Sequence, residues 1–398
     1  MNPRVSVCIP SFNHAPYLAK AIDSVLAQTY RDFEIVIVDD GSTDDSLEIA
    51  EGYASQYPEL VRVLTHPDHA NRGISETVNL AYQQSRGEFW SGLPSDDMLL
   101  PEKLERQIAF LDDHQDIGWT YSYATFVDEA GQPHAFGLFG KDITKHTNPL
   151  QHLLRANVIP GMTAMMRRSC TDQVGLHEPG LMYSDWEFWL RMTNQCPVAF
   201  MPQPLVKVRV HSYNSSGTIA PEKNARRGLE VLITFRQKTL QTSSKFLDDR
   251  TRALLELQLA YHFFYTNDES RAKQSLSEAF AVDRTLASDS AFFGRWLRDK
   301  IFDLQHTFPF HSRESSFASW LHENLQSFDL KLLAQKAKAA HFAKLAFENY
   351  RSNAGTSRRM ALNCLREDFS WIRNRSVRTI ALKGLLGLIL TRHPQQNS

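Results

Sequence analysis

The stretch EIVIVDDGSTDDS, residues 34–46, runs strand-type residues straight into two adjacent carboxylates and then into a Gly-Ser-Thr turn. FWSGLPSDDMLLPEKL, residues 89–104, repeats the device with Asp96-Asp97. Side-by-side carboxylates repel each other and resist desolvation, so a chain that uses the pair twice has something positive or polar to set against it. Upstream, RVSVCIP reads as a strand, and Leu18, Ala21, Ile22, Val25 and Leu26 then share one face of a helix with Pro16 in its first turn. Leu47, Ala50, Tyr53 and Ala54 mark a helix after the second strand. VRVLTH is a third strand, and ISETVNLAYQQS a third helix with Ile74, Val78, Ala81 and Tyr82 inward. EFWSGL and LERQIAFLDDH form a fourth pair. Four strand-helix units in succession predict an α/β fold with a mainly parallel sheet flanked by helices. Ligands of such sheets bind beyond the carboxyl ends of the strands, where both acidic pairs stand.

At 398 residues the chain has room for two or three domains, and 42% apolar with 22% charged residues is ordinary globular composition. A net charge of −1 gives no global field for nucleic acid. Cys8, Cys170, Cys196 and Cys364 show no CxxC pairing and read as reduced core residues. Pro10 interrupts the N-terminus too early for a signal peptide, and no run of about 18 apolar residues occurs. The expected location is cytoplasmic.

NSSGTIAPEKNARRG, residues 214–228, reads as a linker, placing a catalytic domain at 1–217 and a helical C-terminal domain at 218–398. AYHFFYTNDESRAKQSLSEAFAVD and AFENYRSNAGTSRRMALNCLREDF share a rhythm of aromatic residues, a polar break and a small-residue helix, which fits tetratricopeptide-like hairpins or a plain helical bundle. From residue 351 onward nine Lys or Arg face two acids, and TIALKGLLGLILT lies in the same tail. Residues 373–391 therefore have the composition of an interfacial helix, with peripheral contact at the inner face of the cytoplasmic membrane as the functional reading. A docked amphipathic helix is the structural one.

Asp44 and Asp45 suit the start of a helix, whereas Asp39 and Asp40 precede the turn. A carboxylate at that point can accept the imide N–H of a uracil or thymine ring, or a ribose hydroxyl. Asp96-Asp97 precedes Met98, Leu99, Leu100 and Pro101 and is needed by no cap. Such a pair suits Mn²⁺ or Mg²⁺ holding a diphosphate, which stabilises it as a leaving group.

VSVCIPSFNHAPYLAKAIDSVLAQTYRDFEIVIVDDGSTDDS, NRGIS, SDD and YSDWEFWLRM, in that order, resemble the inverting family 2 nucleotide-sugar glycosyltransferases of the GT-A fold, over roughly residues 4–217. The resemblance implies transfer of a sugar from a nucleoside diphosphate donor to an acceptor hydroxyl with inversion. The acceptor would be a glycan, a lipid-linked molecule or a protein, in surface polysaccharide or glycan assembly. It also implies that Pro10, Ser11 and Asn13 contact the nucleotide, Asp39 the base, Arg72 the nucleotide or its phosphates, and Asp96-Asp97 the metal and diphosphate. In the predicted roles Asp96 serves the nucleotide, Asp97 and His211 the metal, and Asp185 is the general base, with Glu187 its neighbour. Trp186 and Trp189 flank that base and are candidates for sugar stacking, Trp189 being the better candidate for core packing. Many members carry an acidic residue two places before the Asp pair, where this chain has Pro94.

Two rivals remain at this level. A nucleotidyltransferase would show a Gly-rich basic loop after the first strand, where PSFNHAPYL stands instead. A catalytically degenerate nucleotide-sugar-binding scaffold would bind donor without turnover, its helical domain serving a partner.

Overall fold

The computed structural model describes residues 2–211, 221–239, 246–301, 313–327, 330–348, 354–368, 377 and 380. The chain divides into two compact units, Met1–Thr251 and Arg252–Ser398.

In the first unit, β1 (Val5–Ser11), α1 (Ala15–Leu26), β2 (Phe33–Asp39), α2 (Ser46–Gln56), β3 (Val61–Thr65), α3 (Ile74–Gln84) and β4 (Phe89–Gly92) follow the predicted alternation. Then come β5 (Met98–Leu99), α4 (Lys103–Asp113), β6 (Trp119–Val127), β7 (Pro133–Phe139), α5 (Pro149–Leu153), β8 (Met165–Arg167), α6 (Arg168–Val174), α7 (Ser184–Gln195), β9 (Val198–Arg209) and α8 (Pro221–Thr239).

The sheet order is β3-β2-β1-β4-β8-β6-β9-β5, with β7 on β6. β3, β2, β1 and β4 are mutually parallel, the half of the sheet that the strand-helix pattern predicts. The other half is mixed: β8 is antiparallel to β4 and β6, and β6 is parallel to β9. Two reversals restore direction, so β9 ends on the same rim as β1, β2 and β4.

Every residue of β1 and β2 is buried, as a strand covered on both faces requires. Val5, Val7, Ile9, Ile35 and Ile37 meet Leu18, Ile22 and Val25 of α1 in one apolar cluster. Residues this deep each contribute roughly 1.5–3 kcal/mol by leaving water.

Helix α3 departs from its apolar pattern. Ile74 is exposed, while Ser75, Thr77 and Asn79 are buried with Ala81 and Tyr82. Polar residues face inward because they find partners there. Thr77 Oγ1 donates to Gly73 O and lies 3.1 Å from His66 Nε2, and the Asn79 amide exchanges two 2.9 Å bonds with the backbone of His177.

The expected linker is also revised. Residues 221–228 open helix α8, with Pro221 at its first position, where a missing N–H costs nothing. α8 packs on α7, and Tyr183 Oη donates to Asn224 Oδ1 at 2.9 Å. The first compact unit thus runs past residue 217 and includes α8.

The second unit is helical throughout its described residues. α9 (Asp249–Tyr265) begins just inside the first unit, and α10 (Glu269–Val282), α11 (Ser290–Ile301), α12 (Arg313–Ser327), α13 (Lys331–Glu348) and α14 (Ala354–Glu367) follow. α9 and α10 meet at the polar break read from the sequence, where Asn267 takes a left-handed φ of 64° and the Asp268 carboxylate caps α10 by accepting from Arg271 N. Tyr261 and Phe264 of α9 cluster with Phe317 and Trp320 of α12. No helix among the described residues is long and apolar enough to cross a membrane. The expected interfacial helix at 373–391 lies outside the described residues apart from 377 and 380.

Candidate active site

The carboxyl ends of β1 and β2 build the first part of the site. Ser11 and Asp39 are register partners on adjacent parallel strands, so their side chains leave the same face. Both are almost fully buried. Asp39 Oδ1 accepts the N–H groups of Gly41 (3.1 Å) and Ser42 (2.9 Å), closing the turn. Asp39 Oδ2 and Ser11 Oγ, by contrast, have no hydrogen-bond partner among the described residues. An unsatisfied buried polar atom costs about 1–3 kcal/mol, so both atoms keep hydrogen-bonding capacity that the described residues do not fill.

The other residues of this rim hold its shape. Pro10 is buried inside β1 opposite Val38. Asn13, at a left-handed φ of 52°, accepts from Thr43 N at 2.8 Å, and its own N–H donates to Ser42 Oγ at 3.0 Å. These bonds staple the β1–α1 loop to the β2–α2 loop. Asp40, left open by the sequence, accepts from the backbone N–H of Arg72 (2.7 Å) and of Gly73 (2.9 Å). The NRG loop is thereby drawn over Gly41, whose φ of +78° and lack of Cβ are both required, since a Cβ would lie 2.3 Å from His69 O. The side chain of Arg72 is exposed.

Beyond β4 the second acidic pair divides its work. Asp97 turns inward, and its Oδ1 accepts the Arg209 backbone N–H at 2.9 Å. Desolvation first, and the neighbouring Asp96 second, push its carboxyl well above the ordinary aspartate range. Asp96 Oδ2 instead lies 3.0 Å from His211 Nε2. Arg209 locks the region by donating from Nε to Asp96 O (3.0 Å) and from Nη1 to Glu129 O (2.6 Å), with its guanidinium over the Tyr17 ring.

His14, which sequence reasoning missed, joins this group. One nitrogen of His14, one oxygen of Asp96 and one nitrogen of His211 all lie within 4.8 Å of one another, a spacing that could hold a metal ion. Burial is the main cause that lowers the His14 imidazole below its ordinary pKa, which favours the neutral form that can ligate. The clue in the sequence was position alone: His14 follows Asn13 in a loop already assigned to the nucleotide. Of the two residues predicted as metal ligands, His211 is in the group, and Asp97 sits beside it with its Oδ1 on Arg209.

Asp185 stands at the start of α7, half-buried, with Oδ2 accepting from Asn157 Nδ2 at 2.9 Å. Desolvation raises its carboxyl pKa, outweighing the bonds from Asn157 and the Trp186 N–H that act the other way. Glu187 is fully buried and committed to Arg191, at 2.7 and 2.8 Å. Arg191 also donates to the carbonyls of Val174, Gly175 and Leu176, so this ion pair fixes α7 to the end of α6. Trp189 stacks on Trp119 at 5.2 Å in the core, and Trp186 is buried with its indole N–H on Leu153 O. Neither is displayed for a sugar.

Comparison with known proteins supplies the family. Residues 6–175 match the family model described as glycosyl transferase family 2. An uncharacterised glycosyltransferase of Rickettsia typhi is 31% identical over 225 residues, covering 54% of this chain and 67% of that protein. One from Rickettsia felis is 32% identical over 225 residues, but the match spans only 36% of its length. Among solved structures, S. aureus TarS 1-349 in complex with UDP-GlcNAc superposes with a TM-score of 0.54 at 18% identity, covering 88% of this chain and 92% of that one. At that identity the likeness concerns the fold.

Proposed function

The chain belongs to glycosyl transferase family 2 and is a glycosyltransferase, and on that premise we propose that it transfers a sugar from a nucleoside diphosphate donor to an acceptor hydroxyl with inversion at the anomeric carbon. The observation that carries the donor half is the orphaned Asp39 Oδ2 beside the orphaned Ser11 Oγ at the sheet rim. An imide N–H of uracil or thymine supplies the donor that Asp39 Oδ2 lacks, which favours uridine or thymidine diphosphate sugars. Arg72, on the loop that Asp40 holds over the rim, is a cation for the phosphates.

The donor set of Asp96 and His211 fits Mn²⁺ or Mg²⁺, and a divalent cation bound there would neutralise charge on the departing diphosphate. Asp185 takes the acceptor proton: its raised pKa makes it a stronger base than an exposed aspartate, and its bond from Asn157 orients it. Glu187 is unsuited to that role because Arg191 already occupies both its oxygens. The acceptor we assign is a glycan, lipid-linked molecule or protein in surface polysaccharide assembly, on the cytoplasmic side of the membrane.

A thermal-shift panel tests the donor reading. Uridine and thymidine diphosphate sugars with Mn²⁺ should raise the Tm, because a ligand bound only to the folded state stabilises it by mass action. A shift with guanosine or adenosine diphosphate sugars and none with the pyrimidine series would overturn the assignment.

A further inference from the structure

His14 lies on the loop between β1 and α1, whereas His211 follows the end of β9, several strands away in the sheet order. We propose that His14 is a third protein ligand to the cation held by Asp96 and His211, so that the site is a two-imidazole, one-carboxylate set that prefers Mn²⁺ to Mg²⁺ and binds Mn²⁺ before any nucleotide arrives. This rests on the reading above that a divalent cation occupies Asp96 and His211.

Four features support it. The three donor atoms already lie within 4.8 Å of one another, and Asp96 and His211 are buried while His14 is half-buried. The His14 backbone is fixed, its N–H donating to Ser46 Oγ at 2.9 Å and its carbonyl accepting from Tyr17 N and Leu18 N at the first turn of α1. Its ring is fixed too, with Nδ1 2.8 Å from Ser95 Oγ, and outer-shell bonds of this kind orient imidazole ligands. Finally, the His14 and His211 rings meet edge to face at 5.7 Å, so the two imidazoles approach from different directions rather than lying flat on each other.

The ligand chemistry then sets the ion. Mg²⁺ is hard, prefers oxygen and sheds its waters reluctantly, whereas imidazoles with one carboxylate suit first-row transition ions. With two protein ligands the ion would depend on the diphosphate for most of its affinity. With three, the protein holds it alone.

The test is titration of nucleotide-free, full-length protein with Mn²⁺ alone, following the free-ion signal by electron paramagnetic resonance. Wild type should bind one Mn²⁺ that a large excess of Mg²⁺ does not release, and His14→Ala and His211→Ala should each weaken binding by at least about tenfold. If His211→Ala weakens binding and a folded His14→Ala does not, the inference about His14 is wrong while the Asp96–His211 site stands. If neither variant changes the affinity, both fall. Wild type loaded with Co²⁺ gives a readout that needs no variant: two hyperfine-shifted exchangeable imidazole N–H resonances are expected in its proton spectrum, and a single one would overturn the proposal.

Discussion

The Arg209 backbone N–H donates to Asp97 Oδ1 at 2.9 Å, tying the last residue of β9 to the acidic pair that follows β4. One half of an apparent metal motif therefore joins strands distant in sequence. Asp97→Ala removes that buried acceptor and should cost about 1–3 kcal/mol of stability, read from urea unfolding.

Asp97→Asn should behave differently, because it keeps an acceptor and removes a buried charge. In wild type the raised folded pKa means that the native state holds the proton more tightly than the unfolded chain. The associated stability is present at low pH and is lost as pH rises from the ordinary aspartate value through the raised one. In metal-free buffer, Asp97→Asn should gain on wild type across that rise. A difference that stays flat with pH would show that Asp97 titrates normally.

Asp39→Asn keeps an acceptor for Gly41 and Ser42 and can set an amide NH₂ where Oδ2 now stands. Uridine diphosphate binding should weaken by about 1–3 kcal/mol in calorimetry, with little change in Tm. An unchanged Kd would remove Asp39 from base recognition.

Breaking the Glu187–Arg191 pair should be costly. Arg191→Met leaves a carboxylate with no exposure facing Lys238 only at 3.9 Å, and strips three carbonyls of their donor. Loss of about 3–5 kcal/mol is expected from one-sided removal of a buried ion pair, measured by denaturant unfolding. A loss below about 1 kcal/mol would mean that solvent reaches the pair.

Asp185→Asn should bind donor and Mn²⁺ nearly as wild type does, yet transfer sugar at least about a hundredfold more slowly. In wild type the base must be ionised, so kcat should fall on the acidic side at a pH above the ordinary aspartate range, since desolvation raises this carboxyl. Loss confined to KM would assign Asp185 to acceptor positioning.

The parallel half of the sheet was legible because strands buried on both faces and amphipathic helices leave periodic patterns. The first two strands came out as predicted, and the rim positions of Asp39 and Asp96 followed from strand ends. What escaped was set by partners distant in the chain. Ile74 lost its inward place because Thr77 and Asn79 find hydrogen bonds to His66 and His177. Asn157 carries no local signal and His14 only its position beside Asn13, since each acquires its role only when the fold sets it beside Asp185 or Ser95. The orientations of Asp96 and Asp97 are likewise invisible in the dipeptide, because Arg209 and His211, more than a hundred residues later, distinguish them.

Inverting transfer is the central claim, and it can be read without knowing the acceptor. Slow hydrolysis of a sugar nucleotide lets water take the acceptor's place and releases free sugar whose first-formed anomer is visible by proton NMR before mutarotation. With an α-linked uridine diphosphate sugar and Mn²⁺, the account predicts that the β anomer forms first and that Asp185→Asn abolishes its release. Initial release of the α anomer would contradict it.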